Sequence, residues 1–129
     1  MNVIETLKKE EGFRGDVYKD HLGFDTVGYG TKMPITEEEA EMLLVHRLSL
    51  MEDEFHRAWD RYPSGVTDST AKALKLLLYQ MGCPRLLRFK KMLYALETGN
   101  HLRARAELLD SKFARQTPDR AYRVADLIR

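Results

Sequence analysis

A chain of 129 residues has room for one domain, or for two small lobes sharing an element, with a core large enough to fold without disulfides or metal. Apolar residues at 43% and charged residues at 32%, with only 8 Gly and 4 Pro, exclude a disordered or collagen-like chain. The net charge of +1 hides a split: residues 1–60 carry 7 Lys/Arg against 14 Asp/Glu, and residues 61–129 carry 14 against 6. A basic half suits an anionic polymer, although solvated helix faces give the same imbalance. No apolar run approaches the ~20 residues of a membrane span. The N-terminus lacks the apolar stretch of a secretory signal, so none is expected. Cys83, the single cysteine, excludes an internal disulfide, suits a reducing compartment and reads as a small packing residue.

The first predicted element is a short helix. Asn2 can cap it, with Glu5 completing a capping box, and Gly12 ends it. Ile4, Leu7 and Glu11 share one face, so Glu11 closes an apolar stripe. From Gly15 to Thr31, strand formers (Val17, Tyr18, Phe24, Thr26, Val27, Tyr29) are broken by Asp20, Gly23, Gly28 and Gly30. This predicts a small antiparallel hairpin with one further short strand, which must lean on helices.

A long helix is predicted over about 36–61. Thr36 and Glu39 form a second capping box, Ile35 and Ala40 are spaced for a hydrophobic staple, and Pro63-Ser64-Gly65 closes the pattern. At 1.5 Å per residue it spans roughly 37 Å, and its apolar positions wander round the axis, as in a helix touching a different lobe at each end. Residues 68–81 read as a core helix, apolar nearly all round and stopped by Gly82. Shorter helices are predicted at 84–88, 89–98 and 100–110. A last one starts at 118, with Thr117 as cap and Pro118 in its first position. The fold class is α+β: a small lobe with a hairpin, a long connecting helix and a helical lobe.

Three residues on successive elements carry candidate chemistry. Eight residues separate Glu11 from Asp20, and five separate Asp20 from Thr26. Glu11, at the end of an apolar stripe, is expected to be partly desolvated, which suits a general acid. Asp20 lies between Lys19 and His21 in a polar turn, where a carboxylate stays ionised. Two carboxyls in contrasting surroundings make an acid/base pair of the kind that cleaves glycosides, and the Thr26 hydroxyl can hold a water. Taken singly, a helix-terminal Glu, a turn Asp and a strand Thr are ordinary surface and sheet residues.

The surroundings of the trio add to it. Met1-Asn2, Glu11-Gly12-Phe13-Arg14, Tyr18-Lys19-Asp20, Gly23 and Thr26-Val27-Gly28-Tyr29-Gly30 together resemble the phage-type lysozymes, glycoside hydrolase family 24, and in particular their T-even phage branch. The resemblance continues through Tyr79-Gln80-Met81-Gly82, Phe89, Met92-Leu93 and Gln116-Thr117-Pro118-Asp119-Arg120-Ala121, with Arg123, so it spans nearly the whole chain. It implies a single lysozyme-like domain over 1–129, with a small lobe at about 12–35, a connecting helix at about 36–61, and a helical lobe at about 62–129 on which helix 1–11 packs. The substrate cleft would lie between the lobes. It also implies an inverting muramidase that cuts the β-1,4 bond between N-acetylmuramic acid and N-acetylglucosamine. Glu11 would be the acid, Asp20 would assist the water and Thr26 would position it, with the carboxyls ~6.5–9.5 Å apart.

Substrate contacts follow by position: Lys32, Tyr79, Gln80, Met92, Glu107, Thr117 and Arg120, the last matching an arginine that can pair with the acid. Thr31 replaces the family's usual His after Gly-x-Gly, the segment Thr31–Ile35 is short, and the chain stops at Arg129, so it reads as a trimmed relative without the longer loop and tail. The partner implied is bacterial peptidoglycan, with no nucleic acid, a monomeric state, and residence in the host cytoplasm until holin-dependent release.

Rival readings are weaker. His21, His46, His56 and His101 lack ligand spacing, so no metal or other cofactor is expected. Arg85, Arg88, Lys90 and Lys91 around Phe89 are the best feature for a nucleic-acid-binding module, but no recognition motif accompanies them. A non-catalytic glycan-binding relative and a lytic transglycosylase are the remaining alternatives. The latter needs a Glu but no water-activating Asp.

Overall fold

In a computed structural model the described residues are 2–60 and 66–129. They form two compact units, Met1–Leu43 and Leu44–Arg129, divided inside the long helix and earlier than the charge boundary at residue 60.

The first unit opens with α1 (Val3–Glu11). Asn2 caps it by accepting from the Glu5 N–H at 2.8 Å, which is the Asn half of the expected capping box. No residue of α1 is buried, so the desolvation expected for Glu11 from the apolar stripe is not found; the carboxylate is exposed. Next come β1 (Arg14–Lys19), β2 (Asp25–Gly28) and β3 (Thr31–Lys32), in one antiparallel sheet of order β1-β2-β3. This is the predicted hairpin with its further short strand. The register pairs Tyr18 with Thr26 and Thr26 with Lys32. Residues directly opposite in antiparallel strands project to one face, so Tyr18, Thr26 and Lys32 make a single row. Thr26, in the middle strand, is fully buried. Aromatic and cationic side chains brace the unit: Phe13 against Tyr29 with ring centres 5.7 Å apart, Lys8 over Tyr29 and Arg14 over Tyr18.

The long helix, α2, runs from Glu37 to Ala58. Its start is the predicted reciprocal box: Thr36 N–H donates to Glu39 Oε1 at 2.9 Å, and Glu39 N–H to Thr36 Oγ1 at 3.1 Å. It is shorter than predicted: the helix ends at Ala58, with the Trp59 N–H donating to the Phe55 carbonyl at 2.7 Å, and residues 59–60 are no longer helical; Arg61 and the Pro63-Ser64-Gly65 stop lie outside the described residues. Phe55 is its only buried residue, while Met42, Leu43, Leu44 and Val45 are exposed.

The second unit holds α3 (Asp68–Met81), α4 (Cys83–Leu87), α5 (Lys90–Glu97), α6 (His101–Leu109), α7 (Lys112–Gln116) and α8 (Pro118–Ala125). Of these, α7 was not expected; Ser111 caps it by accepting from the Ala114 N–H. The prediction that α3 is apolar all round needs correction. Thr70, Ala73, Leu74, Leu77 and Leu78 form one buried stripe at helical spacing, and Leu76 and Tyr79 face out. That stripe packs with Phe55, Trp59, Leu86, Met92, Leu96, Leu108, Val124 and Ile128 in the core. Cys83 is buried there, and burial pushes its thiol up, consistent with a packing role.

The end of the chain is tied to α3. Thr70 Oγ1 accepts from the Arg129 N–H and donates to its carbonyl, both at 3.1 Å, and Ser69 Oγ donates to Leu127 O at 2.6 Å. Thr70→Val keeps the shape and removes both bonds, so it is expected to cost about 1 kcal/mol and lower the melting temperature by about 4 °C. A melting curve superimposable on the wild type's would show that the two Thr70 bonds contribute nothing.

Candidate active site

Glu11, Asp20, Thr26 and Lys32 all belong to the first unit. Asp20 stands two residues beyond Tyr18, immediately after β1, so strand alternation directs it to the face that carries Thr26 and Lys32. The turn that follows is built around its carboxylate. Oδ1 accepts from the backbone N–H of Leu22 at 2.9 Å and of Phe24 at 2.8 Å, while Oδ2 accepts from Lys32 Nζ. Gly23, at φ +88°, supplies the backbone conformation the turn requires, and its N–H donates to the Asp20 carbonyl at 2.9 Å. These contacts leave the Asp20 side chain only 8% exposed.

Its electrostatics follow from those donors. The Lys32 ammonium bonded to Oδ2, then the Phe24 N–H, outweigh the opposing effect of burial; with Leu22 they hold the Asp20 carboxyl at about 2, well below its usual 3.8. Reciprocally, the bond to Asp20 raises Lys32 above its ordinary value. Asp20 is therefore ionised throughout the physiological range, as its polar turn suggested, and the dominant cause is a lysine that the sequence placed only among substrate contacts.

Thr26 Oγ1 donates to the Phe24 carbonyl at 2.9 Å. With its proton engaged, the oxygen offers lone pairs, so toward a water it acts as an acceptor. Glu11 ends α1 beside the β2–β3 turn. A Cβ placed on Gly30 would lie 2.6 Å from Glu11 Oε2 and 2.9 Å from Cδ, so the carboxylate rests against bare glycine backbone. The sequence marks Gly30 as a strand breaker and as part of the motif that carries the resemblance; its place as the seat of Glu11 depends on a contact nineteen positions apart in the sequence.

The other six candidates lie in the second unit. Tyr79 and Gln80 are exposed on the last turn of α3, Thr117 precedes α8, and Arg120 is exposed in its first turn. Met92 is fully buried, because it belongs to the stripe Met92, Leu93, Ala95 and Leu96 by which α5 packs into the core. It is a packing residue, not the exposed glycan contact expected. It nevertheless shares an open depression with Glu107, Arg88, Phe89 and Ser111. Glu107 Oε1 accepts from Arg103 Nε at 2.8 Å and pairs with its Nη2 at 2.7 Å, so its charge is already engaged. Among the described residues no cluster of three His, Cys, Asp or Glu is placed to hold a metal ion, and no helix is long and apolar enough to cross a membrane.

Known proteins resemble this chain along most of its length. It is 29% identical over 99% of its residues to the pre-baseplate central spike protein Gp5 of Enterobacteria phage T4, of which it spans 28%. It is 30% identical over 94% of its residues to the peptidoglycan hydrolase gp36 of Pseudomonas phage phiKMV, of which it spans 14%. A probable T4-type lysozyme of Dictyostelium discoideum is 27% identical over 98% of this chain and 93% of its own length. The phage lysozyme family model matches residues 8–121, from within α1 into α8 and across all four residues gathered on the first unit, and the chain therefore belongs to the phage lysozyme family.

Proposed function

We propose that the chain works as one lysozyme-like domain and is a peptidoglycan hydrolase, cutting the β-1,4 bond between N-acetylmuramic acid and N-acetylglucosamine with inversion. Glu11 protonates the glycosidic oxygen as its bond breaks. A water held by the Thr26 oxygen attacks the opposite face of the sugar, with the Asp20 carboxylate stabilising the developing positive charge and receiving the water's proton. The observation that carries this reading is the contrast between the two carboxyls. Asp20 is enclosed by three donors and locked in its ionised form, whereas Glu11 is exposed at a helix end and free to meet a leaving group. The test is turbidity loss of outer-membrane-permeabilised cells with Glu11 and Asp20 variants.

The wall polymer is anionic, and residues 61–129 carry 14 Lys/Arg against 6 Asp/Glu. Clearance should therefore slow as ionic strength rises from about 0.01 M to 1 M and the screening length falls from about 30 Å to 3 Å. A rate flat across that range would remove the basic half from substrate attraction. The proposed route to the wall is through a holin lesion from the host cytoplasm, and the working form a monomer.

A further inference from the structure

We propose that Lys32 is a positioning residue for the hydrolysis, fixing Asp20 through the bond from its ammonium to Oδ2 rather than binding the glycan. The proposal rests on the reading of Asp20 just given and adds a member to that site. Its basis is the register of the sheet. Thr26 pairs with Lys32 across β2 and β3, and with Tyr18 across β1 and β2, so all three side chains rise from one face and Asp20 follows two residues after Tyr18. A lysine on β3 at that register reaches across the Thr26 position to the end of β1. Shifted by one residue, it would leave from the opposite face.

The local chemistry supports the same assignment. Oδ1 is already occupied by two backbone N–H groups, which fix one edge of the carboxylate and leave the Oδ2 side to be set by a side chain. Lys32 is the side chain that does so. The other charged groups nearby do not replace it. Lys19 is engaged with Asp25 at 2.7 Å, while Glu11 and Tyr18 act on Lys32 itself and favour its charged form. Thr31, next to it, has no charge. The ammonium thus lies in the field of both carboxylates, bonded to one of them.

The test uses the full chain and the variants Lys32→Met and Lys32→Arg. Lys32 is exposed on the short last strand, so neither change opens the core, and circular dichroism verifies this. The sign of the pH effect is fixed by Asp20, which must be ionised to act. With Lys32 it stays charged down to about 2; without Lys32 its carboxyl moves up toward 3.8. The acid limb of the activity profile should therefore move up by a unit or more in Lys32→Met, so the variant loses rate between about pH 5 and 3, where the wild type keeps it. At neutral pH kcat should fall by about tenfold or more with KM little changed, because a displaced carboxylate costs turnover and not binding; Lys32→Arg should recover most of it.

Carbon-13 NMR of the Asp20 carboxyl reads the coupling without any substrate. An unmoved Asp20 titration in Lys32→Met would overturn the proposal. So would a raised KM with unchanged kcat, which marks a substrate contact. An upward NMR shift in a protein whose wild type clears no cells would uphold the coupling and remove the hydrolase reading instead.

Discussion

Glu11→Gln is expected to leave a folded protein that no longer clears permeabilised cells. Glu11 is exposed on the last turn of α1 and α1 buries nothing, so the substitution has no packing cost. On the proposed mechanism it removes the proton for the leaving oxygen, a contribution of about 10²–10⁴ in rate. Asp20→Ala should be as severe but is structurally less clean, because it strands the Leu22 and Phe24 N–H groups and the Lys32 ammonium. Asp20→Asn is the companion: its amide oxygen can still accept at the Oδ1 position and keep the turn, while the charge is gone. Clearance by Glu11→Gln and Asp20→Asn at the wild-type rate would sink the mechanism. Wild-type protein that binds walls without clearing them would identify a non-catalytic relative. Product analysis separates the remaining enzyme class, since hydrolysis leaves reducing ends and transglycosylation leaves anhydro ends.

Gly30→Ala should impair lysis far more than it impairs folding. Gly30 sits at φ +75°, where a side chain costs about 1–2 kcal/mol of backbone strain. Gly28 sits at φ +69° and carries a comparable strain, but a Cβ there meets nothing within 4 Å, whereas at Gly30 it would meet the Glu11 carboxylate at 2.6 Å. The carboxylate is the far end of a flexible side chain, so the clash is relieved by turning Glu11 away. A displacement of about 1 Å at a reacting group costs on the order of 10²-fold in rate. The two variants should therefore melt at similar temperatures, while Gly30→Ala clears cells about a hundredfold more slowly than Gly28→Ala. Equal clearance rates at equal stability would show that Glu11 does not depend on this seat.

Features set by local sequence were legible. The Thr36–Glu39 box, the Asn2 cap, the small antiparallel sheet and the span of α3 are each decided within a few residues and are found as read, although Phe24 and Tyr29, read as strand formers, fall outside the strands and Gly28, read as a break, falls within β2. Glu11, Asp20 and Thr26 were legible as candidates by residue type, and the resemblance of their surroundings to the phage-type lysozymes is what set them apart from ordinary surface and sheet residues. Three things were not. Exposure of α1 depends on what packs against its stripe, which periodicity does not contain. The limits of α2 and the existence of α7 depend on caps one residue long, such as Ser111. The tie between Lys32 and Asp20 depends on strand register, and a shift by one residue would place Lys32 on the other face, so its sequence neighbours alone leave it looking like any surface lysine. The same non-locality hides Gly30 as the seat of Glu11 and Met92 as core.

The three donors on Asp20 also bear on how the site spends free energy. A carboxylate held at about 2 is a feeble proton acceptor, so the contacts that immobilise it weaken it as a base. What it keeps is a full negative charge at a fixed point, with its orientation settled when the chain folds rather than at the moment of bond breaking. For a reaction whose transition state resembles an oxocarbenium ion, a stationary charge is of more use than proton affinity, because the cation forms before the water must surrender its proton. On the proposed mechanism Asp20 would serve less as a reagent than as part of the solvent the sugar meets, a dipolar surrounding already aligned before any substrate arrives.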